Sequence, residues 1–144
     1  MPFSIQLIST AITSWSRPIA QTLIRRGLCQ YRWGAGGFLS TAADLARFGS
    51  SLLTDRFLSA ETRRLLFTSQ KTSDGKETRV GLGWRIAKDS TGKTYFHHGG
   101  DSIGGRAFLL IYPDSKVVVC ILANLTFARI GETEALRFAK LFSE

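Results

Sequence analysis

Two adjacent histidines, His97 and His98, lie in the segment "YFHHGGDSIGG" between Tyr95 and Gly105, and they are the only histidines of the 144-residue chain. An imidazole can act as a general acid or base near neutral pH. The glycines that follow the pair let a ligand or a neighbouring backbone approach closely. This segment is therefore the first candidate for a site that binds or transforms a substrate.

The two imidazoles are poorly placed to bind a metal ion together. Side chains alternate along a strand, so we expect one histidine to face inward and the other outward. A zinc site also needs further ligands nearby, and the surrounding sequence offers no cluster of them. We predict no metal site and no cofactor, and a histidine that packs in a polar cleft without a chemical role remains an alternative.

A nucleophilic serine would be expected beside a base, and two Ser-x-x-Lys strings occur, "SDGK" at 73–76 and "STGK" at 90–93. Both fall in turn-like segments rich in Asp, Gly and Thr. A nucleophile needs its base held at hydrogen-bond distance, which a loop does not provide. We interpret both strings as accidental and assign no catalytic residue within this chain.

The chain is basic, with a formal net charge of +8 and no acidic residue before Asp44. The basic residues are scattered singly or as the pairs Arg25-Arg26 and Arg63-Arg64, without the dense run of a nucleic-acid stripe. We therefore predict no nucleic-acid partner. Cys29 and Cys120 are too few for a disulfide framework or a zinc site.

The first sixteen residues, "MPFSIQLISTAITSWS", carry no charged side chain. They resemble a weak signal-peptide core but lack a basic leader, and they are too short and polar to span a membrane. We expect an amphipathic helix or a partly disordered leader here, and no membrane span. A cytoplasmic location is favoured over a periplasmic or secreted one.

Helix signals precede the histidine segment. Thr41 followed by Asp44 forms a capping-box pattern, which predicts a helix that buries Leu45, Phe48 and Leu52. A second helix should begin near Ser59, with 65–67 as its buried side.

Strand signals dominate the second half of the chain. The segment "RVGLGWRIA" alternates, and we predict a strand that buries Val80, Leu82, Trp84 and Ile86. The segment "RAFLLIYPDSKVVVCILAN" predicts two strands joined by a turn at Pro113-Asp114, both covered on each face. The final segment, "GETEALRFAKLFSE", predicts a helix with the apolar stripe Ala135, Phe138, Ala139 and Phe142. The predicted fold class is α+β, with an antiparallel sheet and flanking helices.

Several of these blocks agree, in order, with one known family. "YRWGAGGFLSTAADLARFGSSLL", "GLGWRI", "HHGGDSIGGRAFLLIYPDSKVVVCILAN" and the terminal helix resemble the C-terminal part of the serine β-lactamase-like superfamily, which includes class C β-lactamases, D-alanyl-D-alanine carboxypeptidases and related esterases. The resemblance covers Tyr31 to Glu144. It implies the corresponding part of a β-lactamase/transpeptidase-like fold as a single domain over 31–144, preceded by a segment 1–30 of uncertain role.

The resemblance also implies a substrate-binding strand. The family carries a His-x-Gly or Lys-Thr-Gly triplet beside its active site, and "HHG" fits this triplet with His97 first, His98 second and Gly99 third. His97, Gly99 and Gly100 are therefore the substrate-binding candidates. If the site is intact, we expect His97 to be partly accessible and to titrate near neutral pH, with His98 pointing away.

The family's catalytic elements are absent from the sequence that precedes the matched region. Its nucleophile lies in a Ser-x-x-Lys motif assisted by a Tyr-x-Asn or Ser-x-Asn element, yet residues 1–30 contain neither, and Lys71 is the first lysine. The resemblance thus implies a serine hydrolase of the β-lactamase or penicillin-binding type that is inactive as this chain alone. A non-catalytic binding or structural domain is the alternative.

Apolar strands with unpaired edges or uncovered faces suggest a protein partner. Strands as apolar as "AFLLIY" and "VVVCILA" would leave edges and faces that recruit another chain. We expect either a homodimer or higher oligomer, or association with a missing N-terminal part. An acyl amide, ester or peptidoglycan-like substrate is expected only for a completed site.

Overall fold

The computed structural model describes residues 38–55 and 57–142. Three helices and four strands form within these ranges: α1 (Ala42–Ser51), α2 (Ala60–Leu66), β1 (Arg85–Lys88), β2 (Thr94–Ser102), β3 (Gly105–Tyr112), β4 (Val117–Ala123) and α3 (Glu132–Lys140). The strands make one antiparallel sheet in the order β1-β2-β3-β4. The predicted α+β class with flanking helices is confirmed.

Some expectations concern residues beyond those described. The leader, the pair Arg25-Arg26 and Cys29 all lie outside the described residues. Within the described part of the chain, no helix is both long and apolar enough to cross a membrane.

Helix α1 begins where its capping residues predict. The Thr41 Oγ1 accepts a hydrogen bond from the Asp44 backbone N–H at 3.1 Å, and the Thr41 hydroxyl donates to Asp44 Oδ2 at 2.8 Å. The first bond satisfies a backbone N–H that the first helical turn would otherwise leave unpaired, and the second joins the side chains of Thr41 and Asp44. The Ser59 hydroxyl caps α2 in the same way, by accepting from the Thr62 N–H at 3.1 Å.

The buried side of α1 differs from the prediction. Ala42, Ala46 and Gly49 are buried, whereas Phe48 is 42% exposed. A Cβ at Gly49 would lie 2.7 Å from the side chain of Val118, so small residues allow the helix to lie close against the sheet. The prediction for Phe48 was wrong because close packing selected the small residues instead.

The strand predicted from Arg79 onward is also shorter than expected. Regular pairing begins only at β1, and both Val80 and Leu82 are exposed. The Gly81 N–H donates to the Trp84 carbonyl at 2.7 Å, which closes a turn where the alternation predicted extended chain. The prediction that Val80 and Leu82 are buried was wrong, because this turn takes both off the sheet.

The sheet is covered on both faces. On one face, called the α1 face, α1 packs over side chains of β2, β3 and β4 that include Phe96, Leu109 and Cys120. On the other, called the α3 face, α3 packs over Tyr95, Leu110 and Val119 among others. The expectation that β3 and β4 are covered on each side is confirmed. Burial raises the pKa of the Cys120 thiol to about 11, so it stays protonated within the core.

Candidate functional site

Strand β2 carries every residue predicted to bind substrate. His97 lies opposite Leu110 of β3, and His98 lies opposite Leu109. Because side chains alternate along a strand, His97 shares the α3 face with Tyr95, and His98 shares the α1 face with Phe96. The two imidazoles therefore lie on opposite sides of the sheet.

His97 is buried beneath the first turn of α3. The residue is 8% exposed, and its ring stacks on Phe108 with 5.4 Å between centroids and lies 5.6 Å from the Tyr95 ring. Its Nε2 is 3.8 Å from Glu132 Oε1, too far for a hydrogen bond. The prediction that His97 is partly accessible was wrong, because α3 covers this face.

Burial also sets the protonation of this imidazole. Desolvation lowers the pKa of His97, the charges of Arg85 and His98 lower it further, and only the Glu132 carboxylate raises it. The ring is therefore neutral at neutral pH. Its Nδ1 is buried with no hydrogen-bond partner among the described residues, so His97 behaves as part of the aromatic core.

Glu132 connects α3 to this core. The Tyr95 hydroxyl donates a hydrogen bond to Glu132 Oε1, the same oxygen that faces His97. Burial raises the pKa of Tyr95, and the hydrogen bond to the carboxylate raises it further, so the phenol stays protonated. This contact ties the start of α3 to Tyr95 of β2, beside His97.

The end of β2 is exposed, including the α1 face that carries His98. The five residues from His98 to Ser102, called the open segment, are all exposed. A Cβ at Gly100 would meet only the Ala107 Cβ at 3.7 Å, an ordinary contact, so the surface beside His98 is flat and accessible. An incoming backbone or acyl group can approach it closely.

Gly99 faces the other way. Its Cβ would lie 3.2 Å from Cδ2 of Phe108, so its lack of a side chain accommodates that ring on the α3 face. The structure thus places the predicted residues His97, Gly99 and Gly100 on one strand but does not bring them to one face. His97 and Gly99 lie on the α3 face, whereas Gly100 lies with His98 on the α1 face.

Both Ser-x-x-Lys strings form exposed turns. In the first, the Lys76 Nζ lies 2.7 Å from the Asp74 carboxylate and Gly75 has a φ of 84°. In the second, Asp89 Oδ1 accepts from the backbone N–H groups of Thr91 and Lys93 at 2.8 and 3.0 Å. Within these two turns, no hydrogen bond joins the lysine amine to the serine of its string. Across the described residues, no group of three or more His, Cys, Asp or Glu side chains could hold a metal ion.

The described clefts lie away from the open segment. One of about 380 Å³ is lined by Phe67, Phe96 and Pro113 together with arginines of α2. Another of about 340 Å³ lies between Asp89 and Arg137. Neither is lined by His98 or Gly100, and the exposure of the open segment makes the candidate site a strand surface.

A family model described as Beta-lactamase matches residues 8–140. The chain belongs to the β-lactamase family. It is also 28% identical over 109 residues to "Serine beta-lactamase-like protein LACTB, mitochondrial" of cattle, and the human and mouse proteins of that name match equally. These alignments cover 58% of this chain and 20% of each relative, so the chain spans about a fifth of their length.

No solved structure matches the chain significantly. The family match confirms the resemblance, and its first matched residue lies inside the segment 1–30. The division between 1–30 and 31–144 stays a prediction, as does the assignment of His97, Gly99 and Gly100 to substrate binding.

Proposed function

We propose that this chain supplies the substrate-binding sheet of a β-lactamase-family serine hydrolase, and that alone it forms no acyl-enzyme. The observation that carries the proposal is the open segment, where His98 and Gly100 are exposed on the same face of β2. On the opposite face of the same strand, Tyr95 and His97 are buried on the side that α3 covers. The α3 face is thus closed at Tyr95 and His97, whereas the α1 face is accessible to a ligand at His98 and Gly100.

The sequence "HHGG" contains two overlapping His-x-Gly triplets, and their environments differ. His97 and Gly99 pack against Phe108, whereas His98 and Gly100 face solvent. We therefore assign the functional triplet to His98-Gly99-Gly100, one residue later than the first interpretation. Gly99 then serves the core behind the strand, and Gly100 keeps its surface clear.

In this arrangement His98 would hydrogen-bond or pair with an anionic group of an acyl substrate lying along the strand. Acyl transfer further requires a nucleophile with a base at hydrogen-bond distance. The Ser-x-x-Lys strings of this chain lie in exposed turns, so a second polypeptide segment facing the α1 face would have to supply both groups. The proposed reaction class is acyl transfer from an amide or ester, and water would release the acyl group.

Covalent labelling tests the proposal that the chain alone forms no acyl-enzyme. The purified chain should give no adduct with a fluorescent penicillin or a fluorophosphonate, and it should hydrolyse a chromogenic cephalosporin at the background rate. Ser73→Ala and Ser90→Ala should leave these results unchanged. Labelling that either substitution abolishes would contradict the proposal, because one of the two turns would then hold the nucleophile.

Complementation tests the proposal that the chain supplies the substrate-binding sheet. The chain is mixed with an N-terminal fragment of a β-lactamase-family enzyme that carries the Ser-x-x-Lys helix, and penicillin labelling of that fragment is measured. Labelling should appear only with both parts present, should fall with His98→Ala, and should survive His97→Gln.

Because neither string lies in a helix, a non-catalytic domain is the second candidate, and absent labelling in all mixtures would favour it.

A further inference from the structure

Half of strand β2 has a neighbour on only one side. β1 pairs with Thr94–His97 and with no later residue, so within the described chain the open segment His98–Ser102 has β3 on one edge and no strand on the other. The outer strand β4 is different, because Val117–Ile121 are at most 3% exposed. An exposed strand edge presents backbone N–H and C=O groups that are ready to pair with another chain.

We propose that two copies of this chain pair through the open segment, antiparallel and related by a two-fold axis at Gly100. Directly opposed residues in an antiparallel pair lie on the same face of the sheet. In a pair related by a two-fold axis, each two opposed residues must therefore both have even numbers or both have odd numbers. An axis at Gly100 meets this condition. His98 then lies opposite the partner's Ser102, and Gly99 lies opposite the partner's Asp101.

The side chains that this register places opposite one another are compatible in charge and size. No like charges lie opposite one another, since the Asp101 carboxylate faces a glycine and is already 2.8 Å from Arg106 within its own copy. At the axis two glycines meet without side chains. An isologous contact of this kind needs one self-complementary patch and closes as a dimer.

The ends of the pairing bury apolar side chains. Ile103, 88% exposed, follows the open segment directly, and in this register it extends past the partner's His98 toward the place where the partner's β1 begins. The exposed Leu82 lies just before that β1. Each copy thus offers Ile103 to the other's Leu82, a contact that the two-fold axis forms twice. This repeated contact favours a second copy over an unrelated strand.

The dimer would occupy the strand edge that the proposed function leaves accessible to substrate. The two ideas remain separable because dimerisation is read from mass and cross-linking, whereas the proposed function is read from acyl labelling. Pairing of two copies would close the edge until a substrate, or the polypeptide segment that supplies the nucleophile and its base, displaces the partner.

Cross-linking tests the register. Paired residues in an antiparallel ladder have Cα atoms about 4.5 to 5.5 Å apart, within the range that a disulfide spans. Gly100→Cys, in a Cys29→Ser background that keeps the buried Cys120, should form a covalent dimer on mild oxidation. Ser73→Cys, in an exposed turn outside the sheet, should cross-link only at the level of random collision. Equal cross-linking of the two variants would overturn the register.

Light scattering tests the apolar ends. At tens of micromolar the unmodified chain should have about twice its mass of 15.9 kDa. Ile103→Asp and Leu82→Asp should each weaken the dimer by at least about tenfold in dissociation constant. Phe127→Asp, at a similarly exposed residue, should leave it intact. A monomeric unmodified chain, or a dimer weakened by Phe127→Asp but not by Ile103→Asp, would overturn the proposal.

Discussion

Gly99 and Gly100 are neighbours on β2, yet alanine should have opposite effects on stability at the two positions. At Gly99 the new methyl would lie 3.2 Å from Cδ2 of Phe108, closer than an ordinary contact. Phe108 is buried and stacked on His97, so it has little freedom to move away. At Gly100 the methyl would make only an ordinary contact of 3.7 Å with Ala107.

The magnitudes follow from two competing effects. Overpacking a core costs about 1–3 kcal/mol, and replacing glycine by alanine in a compatible conformation stabilises by about 0.4–1 kcal/mol through the unfolded chain. Gly99→Ala should therefore lower the free energy of unfolding by about 0.5–2 kcal/mol. Gly100→Ala should raise it by about 0.4–1 kcal/mol.

Urea unfolding followed by tryptophan fluorescence measures both values, and all variants should be compared at one protein concentration because dimerisation would add to apparent stability. A Phe108→Leu background supplies the control, since it should reduce the cost of Gly99→Ala by at least about 0.5 kcal/mol. Equal stability of the two alanine variants, or the reverse order, would refute the assignment of Gly99 to the α3 face.

Two further predictions concern His97 and Gly81. Burial lowers the pKa of His97 below its unfolded value of 6.5, so its contribution to stability is complete above pH 6.5 and is lost as the pH falls toward the lowered folded pKa. His97→Phe should remove this part of the pH dependence of the melting temperature, and an unchanged profile would argue against a buried neutral imidazole. At Gly81 a Cβ would lie 1.9 Å from the Leu66 carbonyl oxygen, so Gly81→Ala should lower the free energy of unfolding by at least about 2 kcal/mol in the same urea assay. Stability equal to the unmodified chain would show that the turn relaxes.

The second half of the fold is largely readable from sequence. Two apolar runs separated by Pro113-Asp114 predict β3, its turn and β4, and the turn is observed between Tyr112 and Val117. The stripe of α3 is equally clear, because Ala135 and Ala139 recur at helical spacing and both are fully buried. Local pattern and tertiary packing agree in these elements, so sequence reasoning succeeds there.

The turn before β1 and the faces of β2 could not be predicted in this way. Alternation predicted an extended chain at Val80 and Leu82, but the hydrogen bond between Gly81 and Trp84 depends on a backbone path that alternation does not encode. For the two histidines, alternation predicts opposite faces of the sheet but not which histidine lies on the covered face. The covered histidine is His97, because Glu132, thirty-five residues later in the chain, lies against it. Such a long-range contact leaves no local signal in the sequence.

The separation of the two histidines has a practical consequence. Because the chain holds no other imidazole, its pair of histidine ring resonances would report separately on the two sides of β2. Detachment of α3 would change the signal of His97, whereas pairing at the strand edge or docking of a completing segment would change that of His98. A single spectrum could therefore tell loosening of the C-terminal helix from occupation of the strand edge, without any introduced label.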